Sequence, residues 1–517
     1  MARQKLAKVR RDCLTGKMMR DAIKQFFTYG AGSIAQKALS FILLPLFLHF
    51  FEPEEYGVIS LLLVVILLLS TLTDVGIVSG LHRLYFEAED KEKKNFLGTT
   101  WLFHLFGATL GGVILLFGSS FLSQILFRTI AYSYPIKLLG LFFFLFLIQN
   151  IPFEILRLEK RAGSYVGFSL FQFVLDFGLK LYFIAFLKRG INGYFESSVI
   201  THIITLCFIS PFILKYVSFS FNASYLKQLL RLGFPFIFSG IAIWTLNMSD
   251  KLILNYFSGA AAVGIYSLAD RFANLFNIFL FNPSAIFWSP FFFSYAAKRS
   301  SEKTKKVLNR ALVYFFIAGC ILYLAISLGS GDVLRIFTTL FAAKKEYWQA
   351  INLVPLLTLG PFLYLLSRQA GNALLLAKRP EFTATAFCIA AAVNIGLNFI
   401  FIPKFGALGA AITTVIAYIL YEVLIYWWAQ RIWPVSHDWK GLCKGLLFLA
   451  VAFIIGWNIK INQPWTSLFV KVIVGVGVFG LFAWFISNIL TSTEQHKFSA
   501  YLVERGRKIA NKLRYRS

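Results

Sequence analysis

The chain has 517 residues, 58% hydrophobic and 18% aromatic, with only 15% charged, against roughly 25% charged in an ordinary soluble protein. That composition excludes a soluble fold and asks how many times the chain crosses a bilayer. The net charge of +27, from 51 Lys and Arg against 24 Asp and Glu, would point to nucleic acid in a polar chain, so the placement of the charges decides their meaning.

In chain order, a basic segment over 1–26 comes first and reads as an uncleaved cytoplasmic leader, because the apolar run after it is too long for a signal peptide and lacks a small-residue cleavage pattern. About fourteen runs follow, each long enough for a hydrocarbon core of about 30 Å. They cover 27–50, 57–81, 97–118, 134–156, 163–187, 194–214, 229–257, 262–293, 308–329, 350–376, 383–402, 406–430, 441–460 and 467–490. The expected fold is an all-α integral membrane protein, with an N-lobe of spans 1–6 (27–216), a C-lobe of spans 7–12 (217–430), spans 13–14 (431–490) and a basic tail (491–517). Cys13, Cys207, Cys320, Cys388 and Cys443 are too scattered for a disulfide framework or zinc site, and no cofactor is called for.

With both termini cytoplasmic, about 36 Lys and Arg fall in cytoplasmic pieces and about 8 in outer loops, the asymmetry of the positive-inside rule. The acidic stretch Glu52-Pro53-Glu54-Glu55 lies outside, and Lys188–Arg189 and Lys344–Lys345 are outer exceptions. Most of the +27 is therefore topology, and nucleic-acid binding has no place in it. The basic tail from Tyr501 to Tyr515 suits anionic lipid headgroups at the cytoplasmic face.

The chain also repeats itself. Leu48-His49-Phe50-Phe51 followed by Gly57-Val58-Ile59-Ser60-Leu61 is echoed by Leu254-Asn255-Tyr256-Phe257 followed by Gly264-Ile265-Tyr266-Ser267-Leu268. Lys160–Arg161 is echoed by Lys378–Arg379, Asp176-x-Gly178-Leu179-Lys180 by Asn394-x-Gly396-Leu397-Asn398, and Gly190-x-x-Gly193 by Gly406-x-x-Gly409. Offsets of about 207 to 218 residues fit a duplicated unit of six spans, a parallel repeat whose axis lies along the membrane normal.

About seven cations fall inside spans, and facing them all to lipid could cost about 20 kcal/mol. Lys137, Lys251 and Lys471 lie near outer ends and can snorkel, whereas Lys37, Lys180, Arg271 and Arg368 lie deeper and face protein or a wet cavity. Acids in the spans are Asp74, Asp176, Asp250, Asp270 and Glu422. Asp176 and Lys180 share a helix face, as a structural ion pair or as a charged cavity wall. Asp270 and Arg271 point apart, so Arg271 needs another partner, such as a ligand anion. Tyr29, Trp244, Tyr266 and Trp288 could stack on sugars, though core packing suits them equally. His104 and His202 read as isolated, packed histidines.

Several motifs then converge. Pro45-Leu46, Phe51-Glu52-Pro53-Glu54-Glu55-Tyr56-Gly57-Val58-Ile59-Ser60, Asp74-x-Gly76, Arg83-Leu84-Tyr85-Phe86, Gly233-Phe234-Pro235, Ser249-Asp250-Lys251, Ala269-Asp270-Arg271 and Ile402-Pro403-Lys404-Phe405-Gly406 together resemble the polysaccharide-transporter branch of the multidrug/oligosaccharidyl-lipid/polysaccharide exporter superfamily. The resemblance covers roughly residues 26–490. It implies a bacterial inner-membrane flippase moving undecaprenyl-pyrophosphate-linked oligosaccharides by alternating access, with polysaccharide polymerase or glycosyltransferase partners. Arg271 is similar to a cavity Arg of related lipid II flippases. Lys37, Lys180, Arg83 and Arg368 join it as candidate pyrophosphate ligands, and Asp176, Asp74 and Asp270 as candidate coupling-ion sites. The rivals are a cation-coupled drug or metabolite antiporter of the same superfamily and a membrane polymerase or glycosyltransferase. The first-span stretch between Asp21 and Glu52 has no acid, unlike the cation-coupled exporters, and the outer connections of about 20 residues are short for a catalytic domain.

Overall fold

A computed structural model describes residues 41 and 44–485; Tyr29, Lys37, the basic leader and the basic tail lie outside them. All regular structure among the described residues is helical. It comprises α1 (Leu44–Phe50), α2 (Pro53–Asp74), α3 (Ile77–Glu87), α4 (Asp90–Phe117), α5 (Ser119–Phe127), α6 (Ser133–Leu158), α7 (Ala162–Leu181) with a π-helical turn at Tyr182–Phe186, and α8 (Gly190–Tyr216). There follow α9 (Ala223–Phe276) with a π-helical turn at Asn277–Phe281, α10 (Asn282–Ala296), α11 (Ser301–Phe341), a 3-10 helix (Lys345–Asn352), α12 (Val354–Leu376), α13 (Glu381–Ile432), α14 (Trp439–Asn458) and α15 (Pro464–Phe485). Among the described residues, ten helical stretches, or eleven counting the bent pair Lys345–Asn352 and Val354–Leu376, are long and apolar enough to cross a membrane. The protein is thus an all-α, multi-pass membrane protein. Two stretches are double, since α9 is broken at Gly259 and α13 at Gly406.

Packing divides the chain into two compact units. Of the described residues, one holds those up to Arg271 with Phe341–Leu353 and Pro380–Leu424; the other holds Phe272–Leu340, Val354–Arg379 and those from Ile425 onward.

Local chemistry explains the element ends. The acidic stretch at 52–55 begins α2: Glu55 accepts the backbone N–H of Glu52 at 3.0 Å, Pro53 occupies the first turn, and the acids sit at the positive end of the helix dipole. The two exceptions to the charge rule meet acids in the first unit. Lys344 is bonded to Glu52, and Arg189 lies 2.6 Å from Glu196.

The repeat mates adopt matching backbones. Lys160 (φ 55°) and Lys378 (φ 58°) are both left-handed residues ending a helix. Arg161 N–H reaches back to Leu156 O at 2.8 Å and Arg379 N–H to Leu374 O at 2.9 Å, the six-to-one bond of a Schellman cap. Gly190 (φ 53°) and Gly406 (φ 55°) likewise correspond at their turns. Gly57 and Gly264 pack reciprocally: a Cβ on Gly57 would lie 1.8 Å from Ala260 O, and one on Gly264 would lie 1.9 Å from Pro53 O. Pro53 and Ala260 are themselves repeat mates, so α2 and the second half of α9 cross as a local two-fold demands.

Candidate functional site

Inside the first unit, a cavity of about 500 Å³ opens between α2, α6, α7 and α8. Its polar wall comes from one face of α7, where Tyr165, Ser169, Gln172, Asp176 and Lys180 recur at three- and four-residue spacing. Tyr194, Ser198 and His202 from α8 and Asn150 and Arg157 from α6 complete it. Lys180 donates to Asp176 at 2.5 Å with its ammonium 4.2 Å from the Tyr194 ring centre, and Ser198 donates to the other Asp176 oxygen at 3.3 Å. The pair is both an ion pair, with Lys180 buried and Asp176 half-buried, and part of the cavity wall.

His202 is not isolated. Its Nδ1 lies 2.8 Å from Ser198 O, and its Nε2 lies 3.1 Å from Gln172 Nε2. Nor is His104, whose Nε2 donates to Asp74 at 3.0 Å, because a polar ring inside a bundle must find a partner. Asp74 also accepts Gly76 N–H at 3.1 Å. Arg157, one residue beyond the fourth expected span, lines the cavity and is bonded to Glu154 at 2.5 Å. Of the α7 stripe the sequence singled out only Asp176 and Lys180, although the rest was visible as polar residues at helical spacing in an apolar span. Its partners on α6 and α8 were not, since sequence alone does not say which helices pack together.

A second cluster lies in the same unit across the Gly259 break of α9. Tyr266 donates to buried Asp250, and Lys251 donates to Asp270 at 2.7 Å. The two halves of α9 are thereby clasped. Lys251, expected to snorkel, has a side chain only 8% exposed: the hairpin brings Asp270 within reach, and pairing replaces escape to the headgroups. Arg271 follows Asp270 but lies about 100° round the helix. It is half-buried, its guanidinium 5.4 Å from the centre of the Tyr56 ring, and among the described residues no carboxylate pairs with it.

The other sequence candidates fall elsewhere. Arg83 is exposed on α3, 3.9 Å from Glu87. In the second unit Arg368 is half-buried and donates to Phe281 O and Ser284 Oγ. Lys471 does not snorkel freely either; it lies 3.0 Å from Asp332, a fully buried acid that the sequence reading left outside its ninth span. Trp244 donates to Val64 O at 3.3 Å, Trp288 to Gln369 at 2.9 Å, and Tyr266 is buried, so these aromatics serve packing.

Among known proteins, the family described as Polysaccharide biosynthesis protein matches residues 48–315. An uncharacterised membrane protein of Methanocaldococcus jannaschii is 26% identical over 279 residues, covering 52% of this chain and 53% of its own, so the match spans about half of that relative. The probable flippase AglR of Haloferax volcanii is 25% identical over 377 residues, 69% of this chain and 75% of its own. The solved lipid II flippase MurJ, in an inward closed conformation, superposes with a TM-score of 0.69 at 17% identity, over 90% of this chain and 98% of that one. That last likeness is one of fold.

Proposed function

Because the chain belongs to the polysaccharide biosynthesis protein family, we propose that it is a flippase, a transporter and not an enzyme, which moves a polyprenyl-linked oligosaccharide across the membrane by alternating access. One observation carries this reading. Of the cations inside the spans, Lys180, Lys251 and Lys471 each meet a carboxylate and Lys137 is exposed; in the first unit Arg271 is half-buried with only an aromatic face, and Arg368 of the second unit meets a carbonyl and a hydroxyl. A guanidinium left without an anion in a low-dielectric setting is a costly arrangement that a phosphate or pyrophosphate would satisfy with two parallel hydrogen bonds.

In this proposal the two six-span lobes, 27–216 and 217–430, rock about a central path, with spans 13–14 (431–490) beside them. The lipid-linked headgroup enters from the cytoplasmic side while the polyprenyl tail stays in lipid. Arg271 holds the charged link, with Lys37 as a further ligand, and the cavity beside α7 offers hydroxyl and amide groups to sugars. Asp176, Asp74 and Asp270 are already engaged by Lys180, His104 and Lys251, which makes the membrane potential the simpler drive. Moving two negative charges outward in an inside-negative cell gains about 4.6 kcal/mol per 100 mV. A cell-membrane location with both termini cytoplasmic, and nearby polymerase or glycosyltransferase partners, belong to the same proposal.

The test is glycan export in cells carrying Arg271→Ala. Export should fall to the level of a deletion while the protein still reaches the membrane. Near-normal export would remove Arg271 from its role, and altered drug sensitivity with intact glycan would favour an antiporter.

A further inference from the structure

A second unmatched cation stands in the other unit, in a different setting. On α12, Asn372 lies four residues after Arg368 and three after Gln369, so it stands between the other two within an arc of about 100°. Arg368 and Gln369 are held from behind. Arg368 Nη1 donates to Phe281 O at 3.1 Å and to Ser284 Oγ at 2.8 Å, and its guanidinium carbon lies 3.6 Å from the centre of the Phe281 ring. Trp288 Nε1, which can only donate, meets Gln369 at 2.9 Å. The Gln369 atom it meets is therefore the carbonyl oxygen, and the amide nitrogen faces elsewhere.

What remains is a set of donors. Arg368 Nη2, Gln369 Nε2 and Asn372 Nδ2 are all shielded from water and lack an acceptor, with Gln369 2% and Asn372 3% exposed. Among the described residues no carboxylate pairs with Arg368. Leaving one such donor buried and unpaired is unfavourable, and here three lie within about one turn of helix, one of them carrying a positive charge. A water could satisfy one of them but would not balance the charge.

We propose that this face of α12 is an anion site that takes a phosphate group, distinct from Arg271 and independent of the flippase reading. A phosphate offers several acceptor oxygens to a guanidinium and two amides at once. The group could arrive on a lipid headgroup or as free phosphate, and two arms separate these sources. Full-length protein carrying Arg271→Ala, so that Arg271 contributes nothing, is melted in detergent against inorganic pyrophosphate, and in nanodiscs with or without polyprenyl phosphate in neutral lipid. A rise in melting temperature is expected in at least one arm, and the arm that responds names the source.

Asn372→Asp supplies an internal carboxylate to Arg368. It should melt higher without ligand and bind phosphate at least about tenfold more weakly. Gln369→Met, which keeps the charge and approximate volume, should also weaken binding. No response in either arm, or equal responses in the Asn372→Asp protein and its parent, would overturn the site.

Discussion

At the scale of single residues, the two halves of the repeat solve one problem with different chemistry. Lys180 donates to Asp176 four residues back on α7, and Asn398 donates to Asn394 four residues back on α13 at 3.1 Å. Each pair is joined by a hydroxyl from farther along the chain, Ser198 of α8 to Asp176 and Thr413, beyond the Gly406 break of α13, to Asn398. The neutral version shows what the charged one could lose. Asp176→Asn alone strands Lys180 and should cost about 3–5 kcal/mol, whereas Asp176→Asn with Lys180→Asn should recover most of the loss, read as thermal unfolding of purified protein. His437, between α13 and α14, lies 2.8 Å from Asn309 Oδ1, and burial lowers its pKa from the usual 6.5. The unfolded chain therefore takes up the proton first as the pH falls. The linked stability is intact above about pH 6.5 and is lost as the pH drops from there through the lower folded-state pKa. Melting curves between pH 8 and pH 5 should show that loss, and His437→Gln should flatten it.

At the scale of elements, hydropathy located most of the described helices but misread ends, and the first expected span, 27–50, lies largely outside the described residues, among which ten or eleven stretches qualify against the fourteen expected. The ninth span was drawn to 329 because Gly329-Ser330-Gly331-Asp332 breaks the apolar run, yet α11 continues to Phe341, since Asp332 is buried against Lys471 of α15. A charge that ends an apolar window in sequence can continue a helix in three dimensions when its partner arrives from a distant span. Because Arg335 also lies 3.7 Å from Asp332, Lys471→Met leaves the carboxylate one partner and should destabilise the protein by about 1–3 kcal/mol, and adding Asp332→Leu should recover part of that loss. Thermal unfolding of the single and double variants measures both. The crossing of α2 and α9 makes the opposite kind of demand, for absence of volume. Gly264→Val would drive a side chain toward Pro53 O, only 1.9 Å from where its Cβ would stand, and should cost at least about 1–3 kcal/mol, seen as a lower melting temperature and reduced yield.

At the scale of the whole molecule, the all-α membrane fold and the repeat were legible because both are written in local signals: apolar runs, helix-ending Lys-Arg pairs and turn glycines. The candidate site was legible only by residue type. Asp176 and Lys180 share a helix, so spacing revealed their bond. Lys251 and Asp270 meet because α9 folds back at Gly259, and Asp74 and His104 because α2 lies beside α4; neither contact has a sequence period. Lys37 lies outside the described residues, so its part in the account rests on resemblance alone. Arg271 is the exception, singled out in sequence as a cation without a neighbour and still without a carboxylate in the fold. The most direct test of the account is transbilayer movement itself. Purified protein in proteoliposomes, given a fluorescent polyprenyl-pyrophosphate-linked oligosaccharide in the inner leaflet, is followed by the fraction that becomes accessible to an external quencher. The account predicts movement that needs the protein, accelerates when a potential is imposed in the direction that favours anion exit, and falls at least about tenfold in Arg271→Ala, the loss of one charge-assisted bidentate contact. Movement equal to that of protein-free vesicles, or undiminished in Arg271→Ala, would contradict it.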